Sequence, residues 1–108
     1  MNELQDKLIK QLGDLIAHLN IFEEGNWSSI FIKVQKLIDN GDRRGLDSLK
    51  DLRGGMGSFN DLVICQINGH KIEKNQEDFA NEELIRLGEL VFATADKLNR
   101  ELNKSGQD

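Results

Sequence analysis

At 108 residues, with 38% hydrophobic and 31% charged side chains, the chain has the size of one ordinary domain and enough apolar residues to build a core. Nineteen acidic against fourteen basic residues leave a formal net charge of −5, which argues against a nucleic-acid partner, because such a protein needs a basic surface to displace counterions. One cysteine cannot close an intrachain disulfide, two histidines supply no zinc-finger spacing, and no apolar run approaches the roughly 20 residues of a membrane span.

The first predicted element is a helix. Leu4, Leu8, Ile9, Leu12, Leu15, Ile16 and Leu19 recur at intervals of three and four, which puts them on one face. Asn2 is placed to cap this helix, and Gln5 completes a capping-box pattern. Gly13 lies inside it, either as a point of close approach or as a tolerated surface glycine that costs about 1 kcal/mol relative to alanine. Glu23-Glu24-Gly25-Asn26 separates this helix from the next, with Asn26 as the expected N-cap. In the second helix Trp27, Ile30, Phe31, Val34, Leu37 and Ile38 share a face, Ile32 falls off it, and Asn40-Gly41 is a stop signal. The short link predicts an antiparallel hairpin of the two helices.

Asp42 opens a shorter third helix carrying Leu46, Leu49 and Leu52, which runs into Gly54-Gly55-Met56-Gly57-Ser58. Ser58 and Asp61 have capping-box spacing and favour a helical turn through Phe59 to Val63. Leu62 to Ile67 is β-prone and Asn68-Gly69 is a tight-turn pair, so a hairpin returning through His70-Lys71-Ile72 is the alternative. The balance favours a helical turn leading into an extended piece. A long last helix follows, with Asn75 as cap and Asp78 three residues on. Its apolar stripe is Phe79, Leu84, Leu87, Val91, Phe92, Ala95, Leu98 and Leu102. Its start is acid-rich and its end carries Lys97, Arg100 and Lys104, so both ends suit the helix dipole. Residues from Asn103 to Asp108 are expected to fray. The expected fold is mainly all-α: a bundle of three long helices and one short one. A glycine-rich crossover and a small extended or hairpin segment interrupt it, within one domain over residues 1–108.

The segment with Gly54, Gly55, Gly57, Ser58, Asn60 and Asp61 is where the chain departs from a plain bundle. It is not a phosphate-binding P-loop, because no Gly-Lys-Ser/Thr follows, and not a dinucleotide fingerprint, because it follows a helix. The economical reading is a crossover whose polar side chains bond the loop's own backbone. The string Gly-Gly-Met-Gly-Ser-Phe-Asn-Asp-Leu-Val-Ile, with Asn68-Gly69-His70 soon after, resembles a small bacterial family of unknown function sharing a Gly-Gly-Met-Gly-Ser-x-Asn-Asp-Leu core. The resemblance implies that the loop marks the family; it implies no reaction.

Ser58 or Cys65 with His70 and Asp61 would supply the residue types of a nucleophilic site, but such local clustering arises readily by chance, and no catalytic residue is assigned. His18, His70 and Cys65 are the strong nitrogen and sulfur ligands; His18 sits on another helix, so neither a metal nor a cofactor is expected. Residues 73–89 carry six carboxylates against Lys74 and Arg86, a net of −4, which is either a solvated face or a surface that steers a basic partner. Glu23, Glu24 and the rim of Trp27 would extend it. The preferred reading is a non-enzymatic protein-binding module, in its specific form a bacterial immunity protein or antitoxin covering a basic toxin, with Glu77, Asp78, Glu82 and Glu83 meeting the partner. The alternatives are a small-ligand or enzymatic site at residues 54–61 with His70, and a self-associating structural protein, a homodimer, suggested by Ile30-Phe31-Ile32. The amino-terminal stretch Met1 to Lys10 is unlike a secretory signal, so the expected setting is cytoplasmic, away from membranes.

Overall fold

The computed structural model describes residues 3–53, 59, 62–70 and 72–105. The fold is an all-α bundle of four helices: α1 (Glu3–Ile21), α2 (Gly25–Asp39), α3 (Arg44–Leu52) and α4 (Glu77–Ser105). Between α3 and α4 lie the 3-10 turns Gln66–Asn68 and Lys74–Gln76, and there is no strand among the described residues. The described residues of the hairpin alternative, 62–70 and 72, therefore form no strand pair. Side chains of α4 take the Ile64 N–H and carbonyl and the Gln66 N–H, while Cys65, Val63 and Ile72 bond within the segment.

Helix α1 packs against both α2 and α4, and α3 bridges α2 to α4. The period of α1 explains this position: Leu8, Leu12, Leu15, Ile16 and Leu19 are buried on one broad face. Gln5 is buried and its amide donates to Ile38 O at 2.6 Å, a second donor on a carbonyl in the last turn of α2 that also accepts from Gly41 N–H. The expected cap Asn2 lies outside the described residues.

Helices α1 and α2 end in the same way. After α2, Gly41 N–H donates to Ile38 O and Asp42 N–H to Leu37 O, with Gly41 at φ +73°. After α1, Glu23 N–H donates to Asn20 O and Glu24 N–H to Leu19 O, with Glu23 at φ +57°. Both are paired C-terminal closures that need a left-handed residue, and only the closure of α2 places a glycine there. Helix α2 begins at Gly25, one residue before the expected cap Asn26. Glu24 caps it instead, accepting from Trp27 N–H at 3.4 Å. On α2, Phe31, Val34 and Ile38 are buried, Ile30 is 36% exposed, and Ile32, expected off the face, is half-buried against the core.

Asp42 opens α3 as expected, accepting from Arg44 N–H at 3.0 Å and from the Arg44 guanidinium. Gly45 is buried at the α2–α3 corner, where a Cβ would lie 2.7 Å from Ile38 Cγ1 and 3.2 Å from Ile38 N. The corner is this tight only because the side chain is absent.

The 29 residues of α4 run roughly 44 Å at 1.5 Å per residue, most of the 53 Å long axis of the molecule. Asn75, the expected cap, falls in the preceding 3-10 turn, and α4 begins at Glu77. Ala80, Leu84, Leu87, Val91, Ala95 and Leu98 are buried, but Phe79 is 69% exposed. Ala80 takes the inward position in that turn, with its carbonyl accepting from His18 Nε2 at 2.9 Å, and this turns Phe79 outward. At the other end Arg43 donates to Asn99 Oδ1 at 3.3 Å and Asn103 Oδ1 at 2.5 Å, so the helix continues beyond Asn103 to Ser105 instead of fraying there.

Candidate functional site

The segment from Phe59 to Ile72 is fastened to the bundle by a series of side-chain contacts. Phe59 is the anchor: it is 5% exposed and packs edge-on against Phe31 and Trp27 at centroid distances of 5.0 and 5.3 Å, with Phe92 at 6.1 Å. Gly88 makes room for it, since a Cβ there would come within 2.9 Å of Phe59 Cε2. Leu62 N–H donates to Phe59 O at 3.0 Å, while Ser58 and Asp61 of the expected helical turn lie outside the described residues. Asn81 then grips Ile64 from both sides, accepting from its N–H at 2.7 Å and donating to its carbonyl at 2.9 Å. In this way a side-chain amide does what a neighbouring strand would do.

Further along, Gln66 N–H donates to Glu77 Oε2 at 2.9 Å, and the Gln66 amide donates to Ile72 O at 2.7 Å. Asn68 donates to Val63 O at 2.9 Å, and Gly69 closes the 3-10 turn at φ +87°. His70 Nε2 lies 3.0 Å from Glu24 Oε1, with the two side chains only 6% and 17% exposed. A carboxylate only accepts, so a hydrogen on Nε2 points to Glu24, and Nδ1 lies 3.2 Å from both the N–H and the carbonyl oxygen of Cys65.

This arrangement bears directly on a catalytic reading. Both nitrogens of His70 are committed, one to Glu24 and one to the backbone of Cys65, so His70 holds the segment in place. Gly54, Gly55, Gly57, Ser58, Asn60 and Asp61 lie outside the described residues. Beside Phe59 is a groove of about 310 Å³ walled by Leu62, Leu84, Ile85 and Phe92, with Arg53 and Glu89 at its edges. Arg53 bonds Asp96 at 2.9 Å and stands 5.6 Å over the Phe92 ring. No group of three or more potential metal ligands exists among the described residues, and none of their helices is long and apolar enough to cross a membrane.

The four acidic residues singled out from the sequence divide into two pairs. Glu77 is half-buried and accepts from Gln66 N–H, while Glu83 is paired with Arg86. The hydrogen bond from Arg86 holds the Glu83 carboxyl below the usual carboxylate range. Asp78 and Glu82 are exposed, and so is Glu89. Glu24, expected to extend the acidic surface, is instead shared between Trp27 N–H and His70. On the solvent side of α4 stand Phe79, Ile85 and Leu90, exposed by 69%, 59% and 41%. Ile85 and Leu90 fall off the core stripe, which is the signal in the sequence that they face outward. Phe59 and Asn81 carried no comparable signal, because an anchor and a clip depend on where the loop is laid.

Residues 21–73 match a domain of unknown function (DUF6966), a span from the end of α1 through α2, α3 and the fastened segment to Glu73. This fits an uncharacterised family. No curated protein and no solved structure matches the chain. The match stops short of α4, so the acidic and apolar residues of that helix must be argued from this chain alone.

Proposed function

We propose that the protein is a non-enzymatic protein-binding module whose docking surface is the outer face of the first half of α4. The observation that carries this reading is the alternation there of exposed Phe79, Ile85 and Leu90 with exposed Asp78, Glu82 and Glu89. Apolar side chains supply the desolvation that makes a contact stable, and the carboxylates orient and speed the approach of a basic partner. A helix held along its length by the core presents them without an ordering penalty. In its specific form this is a bacterial immunity protein or antitoxin that covers the basic cleft of a toxin. The glycine-rich core from Gly54 to Leu62 is then a family marker, and within it Phe59 is the residue packed among Phe31, Trp27 and Phe92.

The test is affinity capture from the native host with the wild-type chain and an Asp78→Lys/Glu82→Lys/Glu89→Lys variant side by side. A basic protein held by the first and lost by the second, with helical circular dichroism unchanged, is the expected result. Equal retention by both would remove the acidic face from the account.

A further inference from the structure

We infer that the chain forms a two-fold dimer through the groove between α2 and α3, with a second copy of itself as the occupant. The groove, about 450 Å³, is floored by Ile30, Leu37 and Leu52 and edged by Lys33 on α2 and Asp51 on α3. Ile30, Lys33 and Leu37 follow one another at helical spacing, so they form a continuous seam along the edge of the buried face of α2, beside Val34. Four Arg or Lys side chains (Lys10, Arg44, Arg53 and Arg86) are in ion pairs among the described residues, yet Lys33 and Asp51 are in none. Both are exposed at the lips of an apolar trough.

That pattern is self-complementary. In a two-fold interface each contact occurs twice with the roles exchanged, so a surface bearing one cation and one anion beside a shared apolar strip matches a rotated copy of itself. Lys33 of one protomer meets Asp51 of its partner, and the reciprocal pair forms across the axis. A basic ligand would find no net attraction here, because the two charges cancel. Most of the excess negative charge of the chain lies on α4, which does not line the groove. The inference uses a surface separate from the acidic face, so either can fail without the other.

Sedimentation equilibrium on the full chain from micromolar to millimolar concentration decides the matter. The expected result is a reversible dimer that Ile30→Asp reduces to monomer. Lys33→Glu and Asp51→Lys should each weaken association about tenfold, since symmetry applies each repulsion twice. Mixing these two single variants should restore dimer as a heterodimer, and the double variant Lys33→Glu/Asp51→Lys should restore the homodimer. Both charged positions are exposed, so circular dichroism should be unaffected. A monomer at all concentrations overturns the inference, as does a dimer indifferent to these substitutions or one that mixing fails to restore.

Discussion

Glu24 and His70, forty-six residues apart, share a hydrogen bond of 3.0 Å between Oε1 and Nε2, while the other oxygen of Glu24 caps α2 at Trp27 N–H. One carboxylate thus sets both the start of a helix and the resting place of a loop. His70→Ala should leave a largely buried carboxylate and the Cys65 amide without their partner, with a loss of about 1–3 kcal/mol in urea unfolding. Glu24→Ala should cost a similar amount, and the double variant less than the sum. Strict additivity in that cycle would mean the contact contributes nothing.

Asn81 offers a second test of how the segment is held. Asn81→Ala removes both bonds to the buried Ile64 backbone and one to Glu77 O, for an expected loss of about 1–3 kcal/mol. Amide exchange at Ile64 should accelerate more than at Leu12 or Leu15 in the core. Uniform acceleration across the molecule would show that the clip is not local.

Three glycine sites and Glu23 predict substitutions of opposite sign. Gly13→Ala meets only Gln35 Nε2 at 3.5 Å, an ordinary contact, so helix propensity should prevail with a gain of up to about 1 kcal/mol. Gly45→Ala and Gly88→Ala press on Ile38 and Phe59 at 2.7 and 2.9 Å and should destabilise by about 1–3 kcal/mol. Glu23→Gly releases a left-handed residue that bears a Cβ and should stabilise by about 0.5–1 kcal/mol. Thermal denaturation of the four variants gives the signs directly.

The acid limb of stability has a definite direction. The side-chain hydrogen bond from Arg44, then its backbone N–H, hold the Asp42 carboxyl below its ordinary range, and Arg86 does the same for Glu83. Groups depressed in the folded state stabilise it above their unfolded pKa and lose that effect as pH falls through the folded value. Both are at the surface, so the contribution is small, but carboxyl NMR should place their midpoints below those of unpaired acids. Arg44→Ala should return Asp42 to the ordinary range, and an unmoved midpoint would refute the assignment.

Much of the architecture was legible because helices announce themselves through local spacing. Leu8, Leu12, Leu15 and Leu19 identified the inner face of α1, and Asn40-Gly41 its partner's end. The failures share a cause. Asn26 and Asn75 have the local pattern of caps, yet Glu24 displaces Asn26 and a 3-10 turn absorbs Asn75. Phe79 fits the apolar period of α4 but yields its place to Ala80 beneath His18. Capping patterns and stripes report what a segment can do alone, whereas these outcomes were decided by groups up to sixty-two residues away. The acidic face was visible as composition; that Glu77 and Glu83 are spoken for depends on Gln66 and Arg86.

The length of α4 and its place at the end of the described chain carry a consequence for biosynthesis. Its ties run from His18 to Ala80 and from Arg43 to Asn103, separations of 62 and 60 residues. A ribosome therefore releases α1, α2 and α3 before the helix that covers the remaining apolar side of α1 has been made. During that interval the nascent chain displays a leucine-rich surface suited to a chaperone. Truncations that stop before Glu77 should accumulate as insoluble or chaperone-bound material, however well the first three helices are formed.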